Sequence, residues 1–350
     1  MNANVLFEPY QLNYKLKLKN RIIMAPMTRN MANDDLSPTN SMMEYYARRA
    51  DAGLIITEGT SIRPDARSCS HVPGIFTQQH INGWSKVTDA VHKKAGHIFL
   101  QLWHVGRVSH PVFLNGELPV GPSETTMTGR VYRAEGLVYG KSRAASLDEI
   151  KGLVESYAMA AKNAIAAGFD GIEIHGANGY LVDQFLHYHT NHRTDIYGET
   201  PENMARFALE VVKACGDMIG YHRTGIRLSP GGYVNEIISE ERDAPVFQHL
   251  LEQLNLLSIA YVHTGNFDDK VTFKELGHQT MTKFLREHYS GTLIGCGSYQ
   301  FEEGRENIEQ KDFDLLGIGR PFIANPDLIE RLQQGKNLNA YDANMLETLE

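Results

Sequence analysis

TLIGCGSYQFEEGRENIEQKDFDLLGIGR, residues 292–320, carries the pattern that decides the fold. Two short apolar runs, Thr292–Cys296 and Asp314–Ile318, read as buried strands, and the Glu-rich stretch Glu302–Ile308 between them reads as a helix. A strand, a crossover helix and a second strand make a parallel unit, because parallel strands cannot be joined by a tight turn. Each strand ends in a glycine pair, Gly295-Cys-Gly297-Ser298 and Gly317-Ile-Gly319-Arg320. Glycine lets backbone N–H groups approach an anion, and Arg320 adds a planar fork of donors. Tight turns also need glycine, so it is the arginine that turns the reading toward a phosphate group. That phosphate would belong to a phosphorylated substrate, to pyridoxal phosphate or to flavin mononucleotide.

The same unit repeats outward along the chain. Ile22–Ala25, Leu54–Glu58, His97–Trp103, Gly171–His175, Thr224–Ser229 and Ala260–Thr264 read as further strands. Amphipathic stretches at Ser41–Asp51, Trp84–Lys94, Leu147–Ala166, Pro201–Gly216, Asp243–Asn255, Met281–His288 and Pro326–Gln333 read as further helices. Thr200-Pro201-Glu202 and Asn325-Pro326-Asp327 have the composition of helix entries. Eight alternations predict an α/β fold of the (β/α)8 TIM-barrel type. A doubly wound sheet would open with a glycine fingerprint after its first strand, where this chain has Ala-Pro-Met-Thr-Arg (25–29). The segment before Asn20 is expected to form an N-terminal hairpin capping the bottom of the barrel. Residues 105–146 are too long for a plain βα loop and are expected to be an insert after the third strand, on the functional face. Residues 1–350 are thereby expected to make one domain.

Composition excludes several classes of function. Lys and Arg total 34 against 42 Asp and Glu, a net charge of −8, so no basic footprint points to nucleic acid. No run approaches the length of a membrane span, and MNANVLFEPYQLNYKLKLKN lacks the apolar core of a signal peptide. A cytoplasmic enzyme is expected. Cys69, Cys215 and Cys296 are isolated, which excludes a disulfide framework or a cysteine-ligated cluster.

Barrel enzymes place their chemistry at the C-terminal strand ends, and alternate strand residues share a face. Gln101 and Trp103 share one on the third strand, Glu173 and His175 on the fourth, and Gly225, Arg227 and Ser229 on the fifth. Asn178 and Tyr180 follow in the loop after the fourth, and Thr28 follows the first. The bland alternatives are a core histidine and an Arg227 paired with Glu173. No lysine closes a strand, which disfavours a Schiff base, and no carboxylate pair suits a retaining glycosidase. His187, His189 and His192 are the one histidine cluster; they read as a solvated loop, so no metal is expected. An isoalloxazine ring would use what remains. The Gln101 amide matches its pyrimidine edge, Arg227 the charge that reduction places near N1 and O2, and the Thr28 hydroxyl its O4.

NRIIMAPMTR (20–29), EYYARRADAGLIITEGT (44–60), QLWHVGR (101–107), AGFDGIEIHGANGYLVDQFL (167–186), RTDIYGE (193–199), GIRLSP (225–230) and GRPFIANPDLIERL (319–332) resemble the old yellow enzymes, the FMN-dependent ene-reductases that include N-ethylmaleimide reductase. The resemblance runs from about Leu6 to Leu332. It implies FMN at the barrel mouth, with isoalloxazine contacts at Pro26, Met27, Thr28, Gly59, Gln101 and Arg227 and phosphate contacts at Gly297, Ser298, Gly319 and Arg320. It implies that His175 and Asn178 hold the activating oxygen of an electron-poor alkene, that Tyr180 donates the proton, and that Trp103 shapes the substrate pocket. NADPH or NADH would reduce the flavin and leave before the alkene enters the same site. Gly59 stands where the family usually has alanine, a difference expected to matter little. The end of the chain, LNAYDANMLETLE, departs from the family's Gly- and Tyr-rich ending, which leaves Tyr341 as the one aromatic there. Rival readings are a flavin-binding barrel without alkene turnover, acting as redox sensor or flavin sink, and a phosphosugar lyase or isomerase. The active unit is expected to be a monomer or a small homo-oligomer.

Overall fold

No apolar run of this chain is long enough to bury itself, and the strands solve this by pairing around a closed ring. In the computed structural model, which describes residues 4–350, eight parallel strands form that ring. They are β1 (Ile22–Met24), β2 (Leu54–Ile56), β3 (Ile98–Trp103), β4 (Gly171–Gly176), β5 (Thr224–Leu228), β6 (Tyr261–Thr264), β7 (Leu293–Gly295) and β8 (Leu315–Ile318). Closure is made by β8 on β1, with Leu316 opposite Ile22 and Ile318 opposite Met24. The fold is the (β/α)8 barrel expected.

Around the ring lie α1 (Asn40–Arg48), α2 (Gln78–His92), α3 (Leu147–Ala166), α4 (Leu181–Leu186), α5 (Pro201–Ile219), α6 (Asp243–Leu257), α7 (Met281–His288), α8 (Phe301–Gln310), α9 (Arg320–Ala324) and α10 (Leu328–Gln333). Helix α3 has the expected limits because Ser146 and Glu149 close a reciprocal capping box. Helix α5 starts at Pro201 under a Thr200 cap. The Asn325-Pro326-Asp327 entry falls two residues late. Asn325 instead closes the short α9 by donating to the Pro321 carbonyl at 3.0 Å, and α10 begins at Leu328. Helix α2 begins six residues before the expected Trp84, since its first turns are polar and contain Gly83. Helix α4 has no amphipathic period to read, because all six of its residues are buried.

The N-terminal hairpin pairs Tyr10–Gln11 with Lys17–Leu18 in antiparallel sense. Its Leu12, Leu16 and Leu18 pack with Ile23, Leu54, Ile56, Phe99, Tyr261, Ile294 and Leu315, the apolar filling of the barrel. The hairpin is therefore a plug as well as a cap. The Tyr10 hydroxyl and Thr292 Oγ1 lie 2.9 Å apart, which ties the hairpin to the entry of β7. The insert after β3 contains its own three-stranded sheet of Val120–Gly121, Thr125–Thr126 and Lys141–Ala144, which its turn-rich composition concealed. Among the described residues no helix is long and apolar enough to cross a membrane.

Leu18 is fully buried. Leu18→Ala is expected to lower stability by about 2–5 kcal/mol in urea unfolding, the usual range for a buried leucine. A loss under about 0.5 kcal/mol would show that the barrel does not depend on its plug.

Candidate active site at the barrel mouth

Pairing register decides which side chains meet inside the ring. Gln101 lies opposite Glu173, and His175, Arg227 and His263 fall in register across β4, β5 and β6. Glu173 is fully buried, so its carboxylate needs partners. Gln101 Nε2 donates to Oε1 at 2.8 Å, and His263 Nδ1 sits 2.8 Å from Oε2. Burial alone would lower the His263 pKa, but the Glu173 carboxylate outweighs it and the pKa is raised. Glu173 is thus satisfied without Arg227, contrary to the bland alternative.

Arg227 is left without an anion. Its residue is 7% exposed, and its hydrogen-bond partners are the Thr264 carbonyl at 3.4 Å and the Cys296 sulfur at 3.8 Å. Among the described residues no carboxylate pairs with it. A buried guanidinium in this position calls for a negative group from outside the chain.

Above this layer three rings converge. Trp103 stacks on His175 with centroids 6.3 Å apart, and Tyr180 stands edge-on to both, at 5.0 Å from Trp103 and 4.9 Å from His175. His175 is held neutral, its pKa driven well below the usual 6.5 by burial and then by the Arg227 and His263 charges. Its Nδ1 has no partner among the described residues. Burial pushes the Tyr180 phenol up, so the hydroxyl keeps its proton at neutral pH. Gly59 is packed beneath Trp103. A Cβ added there would lie 2.8 Å from Trp103 Cδ2 and Cε3, so an alanine must displace the indole. The glycine thus has a packing role beside the indole, separate from any backbone contact to a ligand.

Pro26, Met27 and Thr28 follow β1 as an irregular, partly exposed stretch. Glu58 bends its continuation downward, accepting from the Arg29 and Asn30 N–H groups at 2.9 and 3.1 Å. Across the closure, a Cβ on Gly319 would lie 3.4 Å from Met27 Sδ, so the ends of β1 and β8 border one opening. Gly319 is the N-cap of α9 and supplies no side-chain cap; in that first turn Pro321 has no N–H, and the Phe322 N–H donates to the Gly319 carbonyl at 2.9 Å. Gly297 is required where it stands, since a Cβ there would lie 2.6 Å from the Asp269 backbone nitrogen. Ser298 adopts φ +59° and donates its hydroxyl to the Phe267 carbonyl at 2.6 Å. Arg320 is exposed at the same edge, and its guanidinium lies 5.9 Å from the ring centroid of Tyr341.

Of the histidine stretch after β4, His189 is partly exposed and His192 exposed, as a solvated loop requires, but His187 is not solvated. His187 is fully buried, with Nδ1 2.9 Å from Asp243 and Nε2 3.3 Å from Asp183. Burial opposes its charge, yet Asp183 and Asp243 prevail and raise its pKa to about 10. Asp183 in turn accepts from the Gly179 N–H at 2.7 Å and the Ser229 hydroxyl at 3.1 Å, and Ser229 Oγ accepts from the Asn178 N–H at 2.8 Å. The neighbouring Gln184 donates to the Gly179 carbonyl at 2.7 Å. Helix α4 therefore holds the Asn178–Tyr180 loop from below. Asp183 and His187, four apart on a helix, were the signal in the sequence, masked by the apolar run around them. His189 and His192 line a cleft of about 710 Å³ with Arg107, Glu236 and Arg242, beside the insert. Among the described residues no cluster suits a metal ion.

The likenesses to known proteins bear on this geometry. Residues 5–339 match the model of the NADH:flavin oxidoreductase / NADH oxidase family. The chain belongs to that family. It is 38% identical to putative 12-oxophytodienoate reductase 5 of Oryza sativa subsp. japonica, over 99% of this chain and 92% of that one. It is 40% identical to a probable flavin mononucleotide-dependent alkene reductase of Leishmania infantum, over 93% of this chain and 89% of that one. Among solved structures, morphinone reductase in complex with tetrahydroNAD superposes with a TM-score of 0.90 at 41% identity, covering 98% of this chain and 94% of that one. The old yellow enzyme homologue from Zymomonas mobilis superposes with the same TM-score at 36% identity, covering 97% and 96%. The old yellow enzyme resemblance of the motifs is borne out.

Two measurements test the site's supports. A group whose pKa is raised on folding stabilises fully below its unfolded value and loses that effect as pH climbs through the folded value. For His187 this window runs from about 6.5 to about 10. Resistance to urea should therefore fall across it, and His187→Gln should flatten that slope; an unchanged slope would refute the buried imidazolium. Gly59→Ala should cost about 1–3 kcal/mol through overpacking, and the cost should vanish in a Trp103→Ala background. Persistence of the cost there would place the strain elsewhere.

Proposed function

We propose that this family member is an FMN-dependent ene-reductase, using NADPH or NADH to reduce the C=C bond of α,β-unsaturated carbonyl or nitro compounds. The buried Arg227 guanidinium without a carboxylate partner carries the reading. The residues around it fit FMN. Gln101 spends one amide hydrogen on Glu173 and keeps its carbonyl oxygen for the ring's N–H, and Arg227 supplies the positive charge that the reduced pyrimidine edge needs. Pro26, Met27, Thr28 and Gly59 would border the ring, while Gly297, Ser298, Gly319 and the exposed Arg320 would hold the phosphate.

Bound FMN would supply the hydride acceptor and donor. The chain's own residues do the rest. His175, neutral and with an unpartnered Nδ1, joins Asn178 in donating hydrogen bonds to the carbonyl or nitro oxygen, drawing charge out of the alkene. Tyr180 keeps a proton for the α-carbon. Trp103, held by Gly59 and by the two other rings, shapes the space for substrate. The barrel has no separate dinucleotide fold, so the nicotinamide and the alkene use one site in turn. The proposal carries with it one domain over residues 1–350, a small-molecule alkene as partner, and a cytoplasmic monomer or small homo-oligomer.

Anaerobic reduction by NADPH followed by 2-cyclohexenone tests it. Enone should reoxidise the flavin, and Tyr180→Phe should slow that step by about 100-fold or more while leaving reduction within about twofold. A reduced flavin indifferent to enone would sink the ene-reductase reading, and equal loss in both half-reactions would remove Tyr180 from the proton-donor role.

A further inference from the structure

Asn178 is tied at every polar group but one. Its backbone is in the left-handed region, with φ +62°. Its N–H donates to Ser229 Oγ at 2.8 Å, and its carbonyl accepts from Asn235 Nδ2 at 2.7 Å. Its side-chain oxygen accepts from the Tyr233 hydroxyl. The amide NH2 alone has no acceptor among the described residues, and it is the group that a substrate oxygen would meet.

An asparagine side chain is nearly symmetric in shape, so its two orientations differ only by what they bond. Turned one way, Asn178 offers donors beside His175; turned the other, it sets a carbonyl oxygen against the substrate oxygen and repels it. Tyr233 breaks the tie. Its ring stands edge-on against Phe267, with centroids 5.0 Å apart at 89°, and Asn178 is its hydroxyl's one side-chain partner among the described residues. Burial holds that phenol protonated, and with the amide turned the other way its O–H would lose this acceptor.

The loop that carries Tyr233 is itself clamped. Arg107 Nη2 donates to the Asn235 and Glu236 carbonyls at 3.1 and 2.8 Å, and the Glu236 carboxylate accepts from the Thr128 and Gly129 N–H groups at 3.0 and 2.9 Å. Asn235 and Glu236 both hold positive φ, so the turn depends on these contacts. The insert after β3 thereby fixes the loop after β5, and that loop fixes the amide.

We propose that Tyr233 is a positioning residue, its hydroxyl orienting the Asn178 amide so that the NH2 faces the activating oxygen of an electron-poor carbonyl or nitro substrate. The assignment rests on the ene-reductase reading above.

A double-mutant cycle on the FMN-loaded enzyme tests it, with Tyr233→Phe, Asn178→Ala and both together. The readout is the rate at which 2-cyclohexenone reoxidises the NADPH-reduced flavin, alongside the enone dissociation constant from the flavin's visible spectrum. Tyr233→Phe retains the ring; melting temperature and flavin content should stay at wild-type values. It should slow reoxidation and weaken enone binding, with a combined effect of about tenfold, the order of one hydrogen bond. In the Asn178→Ala background the same change should alter them by less than about twofold, because Tyr233 acts only through the amide. A Tyr233→Phe enzyme at wild-type rate, or an equal loss in both backgrounds, overturns the assignment of Tyr233 and leaves the ene-reductase reading standing. An Asn178→Ala enzyme at wild-type rate overturns the assignment of Tyr233 and the role of Asn178 but not the ene-reductase reading; a wild-type enzyme that enone does not reoxidise overturns both.

Discussion

Everything at the mouth depends on the ring closing through β8 and β1. That pairing brings Met27 and Gly319 together across one opening and sets all eight C-terminal strand ends around it. Closed parallel sheets put helices outside and side chains inside, so the interior must be filled from the strands themselves. Here the lower interior is apolar and completed by three leucines of the N-terminal hairpin, while the upper interior is polar. The boundary falls at Tyr261 and Glu173.

Above that boundary the charges are unevenly matched. Glu173 has His263 and Gln101, and Asp183 has His187 and Ser229, so both carboxylates are paired within the protein. Among the described residues Arg227 has no such partner. Burying a lone cation is unfavourable, and folds tolerate that at places where a ligand completes the pairing. The paired carboxylates hold the frame rigid, and the unpaired guanidinium gives the frame something to bind.

Much of the fold was legible because strands buried on both faces read as apolar runs, and helices facing a sheet read as amphipathic ones. The rim residues were legible through parity, since Gln101, His175 and Arg227 point inward by register. The supports were harder to see. Helix α4 carries Asp183 and Gln184 but is buried on every side, so it has no period. Tyr233 and Asn235 lie in an irregular loop whose conformation is set by Arg107, more than a hundred residues earlier in the chain. Gly59 could be recognised as different, but its meaning lies in the distance to Trp103, and a distance across two strands is not written in either one.

The same contrast explains how the site is built. Residues that reach toward ligand sit on strands, where register places them within fractions of an ångström, and they need few instructions beyond the alternation of faces. Asn178 and Tyr180 sit on a loop, where no ladder fixes them. Their loop compensates with bonds from three directions: Asp183 and Gln184 from below, Ser229 from the end of the next strand, and Tyr233 with Asn235 from the side. A loop tied this densely is as well positioned as a strand, yet its accuracy belongs to residues that never touch the substrate. Variation in the 230–239 loop is accordingly a route by which such a barrel can retune the pair proposed to hold the substrate oxygen without altering either residue of that pair.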